Sequence, residues 1–247
     1  MKNGILPAGI ALITLAVTEC TSLSSSDIKT AGITGEMQVS ADGSGASTVS
    51  ANLYVDTNLT DFVSLSSGDT LTASAGGQTK TLSKSTLLGI VTYLATFTGE
   101  DGAGTAYTIA FNRMSDTSAP SSTCAMPSPF AISAPASSAS FSRSRDPITI
   151  TWSPAGTSDV MNYSVGGDCI ATAGSSISGD TGTLTIPAGT ISGTALDGGS
   201  ANGGTGATGC PVTLSMTRTR NGSLDSHFLG GGINCLQTRT VSFQSTP

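Results

Sequence analysis

The sequence predicts an all-β protein of two β-sandwich domains in tandem behind an export signal. Three observations carry this. Charged residues make up only 11% of the chain, and the strong helix formers Glu, Lys and Arg are scarce. Thr, Val and Ile recur in short runs that alternate apolar and polar with a period of two. Gly, Asp and Asn, the residues that tight turns require, separate those runs. Hydrophobic residues amount to 37% and are spread along the chain, which is more than a disordered segment carries. The net charge of −6 argues against a nucleic-acid partner, since phosphate binding needs clustered Lys and Arg, and the nearest approach to a cluster is Arg218 with Arg220.

Residues 1–20 read as an address. Lys2 precedes an apolar stretch from Ile5 to Val17, interrupted by Pro7 and Gly9. That length suits a signal peptide and falls short of a membrane span of ~20 residues. The stretch ends at Val17-Thr18-Glu19-Cys20. This resembles a bacterial lipoprotein signal, in which a Cys after small residues is lipidated and becomes the new N-terminus. Glu19 stands where that motif usually has Gly, Ala or Ser. The resemblance implies a lipid on Cys20 and attachment to a membrane. Thr21, where an Asp would mark inner-membrane retention, implies the outer membrane. Secretion with cleavage nearby is the alternative. Residues 21–34 open with Thr21-Ser22-Leu23-Ser24-Ser25-Ser26 and read as a flexible polar tether.

Residues 35–114 carry the first domain. Met37, Val39 and Ala41 share one face of a strand, and Val49, Ala51, Leu53 and Val55 share one of the next, across the turn Asp42-Gly43-Ser44-Gly45. Phe62 to Leu65 and Leu71-Ala73-Ala75 follow, and Gly76-Gly77 makes a tight hairpin to a strand near Thr79 to Leu82. Val91, Tyr93, Ala95 and Phe97 define the sixth strand, and Tyr107, Ile109 and Phe111 the seventh. Seven short strands in this length suit an Ig-like sandwich. Residues 115–129 shift to Ser, Ala and Pro and read as a stiff linker.

The second domain spans 130–247. Its strands are marked by Ile148, Ile150 and Trp152; by Met161, Tyr163 and Val165; by Thr183 to Pro187; by Val212, Leu214 and Met216; and by Val241 and Phe243. The order Ile148-Thr149-Ile150-Thr151-Trp152-Ser153-Pro154, then Tyr163, then Leu184-Thr185-Ile186-Pro187, resembles a fibronectin-type-III or related Ig-like domain. Trp and Tyr would then pack in the core.

Of the five Cys, four remain if Cys20 carries lipid, and an even number in an exported chain implies two disulfides. Three pairings are possible. The Ig-like resemblance implies Cys169–Cys210, joining the third and sixth strands of one sheet. It also implies Cys124–Cys235, joining the starts of the first and last strands and tying the linker to domain two. No C-x-x-C occurs, and one histidine excludes a multi-histidine metal site.

Signals for chemistry are sparse. His227, the only histidine, would have to serve any Ser-His-Asp triad, yet it sits in the Gly-rich run Leu224 to Gly232 with no nucleophile motif. The acids Asp42, Asp69, Glu100, Asp101, Asp168, Asp180 and Asp197 fall at turns. They offer a hydrolase only scattered carboxylates, and Ca²⁺ only Glu100 with Asp101. Trp152 is predicted to point inward, leaving Phe228 as the aromatic at a loop tip. The reading is a non-catalytic envelope lipoprotein with an adhesive, structural or protein-binding role, held to a membrane by its lipid and using no cofactor. The alternatives are a glycan or small-ligand module working through the loops 197–209 and 221–234, and a hydrolase using turn carboxylates.

Overall fold

The computed structural model describes residues 22–193 and 209–247. The signal segment with Cys20, and positions 197–208 of the first Gly-rich loop, lie outside the described residues. The chain is all-β. Ten strands make the first half: β1 (Ser22–Ser24), β2 (Ile33–Ala41), β3 (Ala46–Val55), β4 (Phe62–Ser64), β5 (Thr70–Ala75), β6 (Gln78–Thr81), β7 (Ser83–Leu87), β8 (Ile90–Thr98), β9 (Ala106–Asn112) and β10 (Ala119–Ala125). The second half has β11 (Ala131–Ala134), β12 (Ser140–Ser142), β13 (Ile148–Ser153), β14 (Val160–Gly167), β15 (Ile170–Ile177), β16 (Thr183–Ile186), β17 (Cys210–Asn221) and β18 (Gly230–Thr246).

Alternation places the cores. In β3, Val49, Ala51 and Leu53 point inward while Ser50 and Asn52 stay outside. They meet Leu71 and Ala73 of β5 and Ile109 and Phe111 of β9. The second core gathers Ile150, Trp152, Met161, Val165, Leu214 and Phe243. There, the sheet β11-β13-β16 faces a sheet containing β12, β18, β17, β14 and β15. The opening of that sandwich is shared between its sheets: β11 pairs antiparallel with β13, and β12 pairs parallel with β18. This is an Ig-like arrangement.

Two cores do not make two separate domains. One eleven-stranded sheet runs through both, in the order β1-β4-β3-β2-β18-β17-β14-β15 with β12, β7 and β8 alongside. The joint is β18. Its first half runs parallel to β2, with Gly230 opposite Thr34 through Gln237 opposite Ala41. Its second half carries Val241 and Phe243 to the second core, while β17 pairs with it along its length. Only the closing part of β18 was legible as a strand, because Gly230-Gly231-Gly232 look like a loop. The glycines are there for contact: Gly231 has φ +109°, and a Cβ on it would lie 2.1 Å from the Gly35 carbonyl oxygen.

Two expected segments differ for identifiable reasons. The linker at 115–129 contains β10, paired with β9. Pro120 is tolerated because β10 is an edge strand whose register shifts between Ala119 and Ser122. The tether at 21–34 is packed down: β1 runs parallel to β4, and Ser25 and Thr30 are buried. Arg113 holds it, donating to the Ser25 and Ile28 carbonyls and lying 3.0 Å from Asp69.

Between the cores lies a polar layer. Arg218 of β17 is fully buried and donates to the Ser128 and Pro154 carbonyls and to Asp180 Oδ2 at 2.7–2.8 Å. Its guanidinium also stacks over Phe130. Asp180 further accepts from Trp152 Nε1 and from Thr157. Burial pushes the Asp180 carboxyl up, but the Thr157 and Trp152 bonds and the Arg218 charge outweigh it and leave it below the usual range. Gln237, also fully buried, donates to the Asp101 and Pro127 carbonyls. Arg220 donates two parallel hydrogen bonds to the Asp159 carboxylate, at 2.7 and 2.8 Å.

Arg218→Ala therefore strands a buried carboxylate and two backbone carbonyls, and is expected to destabilise the protein by about 3–5 kcal/mol. Because both cores share β18, denaturant unfolding followed by Trp152 fluorescence and by far-UV circular dichroism should show one coincident transition, shifted as a whole. Two separated transitions would refute the coupling.

Candidate functional site

The region around the only histidine is the nearest thing to a constellation of reactive groups. Asp225, in the turn between β17 and β18, is buried. Its Oδ2 accepts from the backbone and the hydroxyl of Ser121 at 2.8 and 2.6 Å. Its Oδ1 accepts from the backbone of His227 and lies 2.8 Å from His227 Nδ1. The aspartate thus stands between serine and histidine. A triad needs the serine hydroxyl on the imidazole, with the carboxylate behind it; here the Ser121 hydroxyl is spent on the carboxylate. The His227 side chain is 52% exposed, as expected of a loop histidine.

What this cluster does is structural. Ser121 and Ser122 lie on β10, and the Asp225 backbone N–H donates to Ser122 Oγ. Thr123 and Ser223 exchange backbone hydrogen bonds of 2.8 Å. Gly222 permits the approach, since a Cβ there would sit 2.1 Å from the Thr123 oxygen. Phe228 was the expected exposed aromatic. It is buried, stacked on Phe111 with ring centres 6.0 Å apart. The loop 221–234 is therefore a clasp on the first sandwich, with Asp225 and Phe228 turned into the fold and His227 and Leu229 left in solvent. Sequence patterns missed this because β10 looked like linker, so nothing in the chain predicted what Asp225 would meet.

The disulfides join Cys124 to Cys235 and Cys169 to Cys210, with Cα separations of 5.7 and 5.9 Å. Cys169–Cys210 links the β14–β15 turn to the start of β17, where β14 and β17 run antiparallel. Cys124–Cys235 sits elsewhere than the Ig-like reading places it. Cys124 belongs to β10 and Cys235 to the half of β18 beside β2, so the bridge staples the two sheets of the first sandwich. It does not tie a linker to domain two. Closing loops of 41 and 111 residues, the bridges contribute about 4–5 kcal/mol each in the chain-entropy account.

The turn acids are engaged one by one. Asp69 takes Arg113, Ser25 and the Met114 backbone; Asp42 takes the Ser44 backbone. Glu100 meets Gln78, and what Asp101 offers Gln237 is its backbone oxygen. Among the described residues no group of three or more His, Cys, Asp or Glu is placed to hold a metal ion. Trp152 is buried, as its alternation predicted. A pocket of about 260 Å³ lies on the outer face of β3, β2 and β18, lined by Gln38, Ser40, Asp42, Thr48, Leu236 and Thr238. One carboxylate and no aromatic ring line it.

No family model matches this chain, and no curated protein is similar to it. Two solved structures align over most of its length. The FN1–FN3 domains of chicken CNTN1 share 9% identity over 86% of this chain and 65% of theirs, with a TM-score of 0.27. A chain of the crystal structure of Dpr11 IG1 bound to DIP-gamma IG+IG2 shares 8% identity over 87% of this chain and 96% of that one, with a TM-score of 0.25. At such scores the assignment of fold rests on the strand pairing above.

Asp225 supplies a pH test. Burial pushes its carboxyl up, yet the Ser121 and His227 bonds hold it down, to about 2 against an ordinary 3.8. A carboxyl lowered by folding stabilises above its unfolded pKa and loses that stabilisation as pH falls through the folded value. Asp225→Asn should then cost about 2 kcal/mol at neutral pH, with the deficit closing as pH drops from 4 towards 2. His227→Ala should stay within about 0.5 kcal/mol of the parent at neutral pH. Denaturant titrations across that range decide both.

Proposed function

We propose that this chain is a non-catalytic, lipid-anchored protein of the cell envelope whose fused sandwiches form a stiff adhesive or structural module. The observation that carries the reading is the shared β18. A strand of 17 residues spans ~55 Å at the usual rise, and it belongs to both cores, so the second sandwich is held at a set distance from the first. Tandem domains on a free linker would swing; these two are joined by a continuous sheet and by the buried Gln237, which donates to the Asp101 and Pro127 carbonyls. Stiff reach suits a protein that presents one end to a partner while the other is fixed.

Export is supported by both disulfides, which persist in oxidising compartments. No helix among the described residues is long and apolar enough to cross a membrane. Attachment then falls to Cys20, on the strength of the lipoprotein-like signal that precedes it. The Ser121–Asp225–His227 arrangement supports a structural use of the groups from which a triad would have been drawn.

Expression in a Gram-negative host tests the anchor. Radiolabelled palmitate should enter the parent and not Cys20→Ala, and Cys20→Ala should move from the membrane to the soluble fraction. Glu19→Gly should speed processing. A soluble mature protein with an unmodified Cys20 would end the lipoprotein reading. Small-angle scattering of the soluble variant should fit one rigid elongated body; a broad distribution of sizes would end the stiff-module reading.

A further inference from the structure

We infer that the end of the first sandwich at which β1 begins is a membrane-contacting surface, seated on the lipid that anchors Cys20. This rests on the lipoprotein reading and adds to it an orientation and a second point of contact.

Strand register defines that end. Ser22 pairs with Phe62, and Phe62 with Tyr54 near the end of β3. On the other stretch of β3 the last pair is Ala51 with Tyr93, and β8 continues three residues further to Ile90, as β3 continues three to Tyr54. Asn52 Nδ2 donates to the Val91 carbonyl at 2.8 Å, holding β8 on course. The tip of the β7–β8 hairpin therefore reaches the level at which the chain enters the fold. Leu229 arrives there too, its N–H donating to the carbonyl of Ile33, whose strand partner is Val55.

Large apolar side chains collect on this end. Leu88 is 89% exposed, Leu87 72%, Leu59 54% and Ile90 48%, with Leu23 and Leu229 also in solvent. Leu88 is anomalous twice over. It occupies the first position of a two-residue hairpin turn with φ +50°, followed by Gly89 at +83°. Such a turn favours Asn or Gly, and a leucine there is strained as well as exposed. Neither feature helps the fold.

Tether length identifies what covers them. With residues 22–32 packed against the sandwich, only Thr21 separates Cys20 from β1. Two Cα steps reach about 7 Å, so a lipidated Cys20 brings this end against the headgroups. A long flexible tether would have left the apolar tip idle; this one leaves no room for water-filled separation. Asp56 donates its N–H to the Gly32 carbonyl at this end, and Gly32 donates in turn to the Lys29 carbonyl, so charges of both signs border the tip, which suits a zwitterionic lipid surface. The opposite end of β18, where Thr246 meets Arg143, points away from the bilayer.

The test uses the lipidated full chain in phosphatidylcholine–phosphatidylethanolamine vesicles. Leu88→Cys and, at the far end, Ser144→Cys each carry an environment-sensitive fluorophore. In the parent background the label at 88 should shift to the blue and lose severalfold in quenching by aqueous iodide relative to the label at 144. Equal quenching at both positions, with the protein still vesicle-bound through Cys20, overturns the seat and leaves the anchor standing. Loss of all binding in Cys20→Ala with protection at 88 in the lipidated protein supports both. Protection at 88 that persists without vesicles, together with a doubled mass by sedimentation, overturns the seat in favour of a second copy. Leu88→Asn, which suits the turn, serves as the folded control: a label at 87 in that variant should become severalfold more accessible than the same label beside Leu88. Unchanged protection of that label in Leu88→Asn also counts against the seat.

Discussion

Arg218 lies fully buried between two apolar cores, on a hairpin that both sandwiches share, and its guanidinium spans three segments of the chain. It takes the Ser128 carbonyl at the crossing from one half to the other, the Pro154 carbonyl after β13, and the Asp180 carboxylate before β16. Asp180 is also held by Trp152 and Thr157, and Phe130 lies under both Arg218 and Arg239. A buried ion pair brings little net stability against an apolar substitute, because desolvation opposes the Coulomb gain. What it brings here is registry. The partners of Arg218 all lie in the second half or at the crossing, so it fixes the segments at Ser128, Phe130, Pro154 and Asp180 on one another, while the buried Gln237 reaches the first half through the Asp101 carbonyl.

Strands that cross between the halves explain why these are not a pair of beads. In a free tandem the last strand of the second sandwich would end its role at its own core. In this chain β18 runs on beside β2, β17 follows it, and β10 closes over the turn through Asp225 and the Cys124–Cys235 bridge. The linkage is covalent, hydrogen-bonded and apolar in turn: a disulfide, a strand ladder and the Phe111–Phe228 stack lie within one region. Local opening of the β17–β18 turn would have to unstack Phe228 and break the Asp225 hydrogen bonds, next to a strand pinned by the Cys124–Cys235 bridge.

Stiffness has a functional sense once one end is fixed. The N-terminal segment packs against the first sandwich through Ser25, Thr30 and Arg113, so a constraint applied at Cys20 is transmitted to the whole body. The apolar hairpin tip and the entry of the chain share one end, and the second sandwich extends from the other. Under the proposed anchoring at Cys20, orientation would be set by the fold, and the surface offered outward would be that of the second sandwich.

By itself the sequence determined the class of the fold and most of its strands. Period-two alternation at 37–41, 49–55, 107–111 and 148–152 is a local property, and it put Trp152 and Tyr107 inside before any partner was known. Turn residues at Gly76-Gly77 placed a hairpin for the same reason. Tertiary structure decided the rest. β10 carries a Pro and too few apolar residues to declare itself, and it is a strand only because β9 and the Asp225 clasp present hydrogen-bonding partners. β18 hides behind three glycines whose missing side chains admit β2. The buried Arg218 and Asp225 read as surface charges in the chain, since burial of a charge depends on partners remote in sequence, here 38 and 104 residues away. Periodicity reports which side of a strand faces inward; which other strand lies there, and whether two cores share it, is set by contacts that no local pattern encodes.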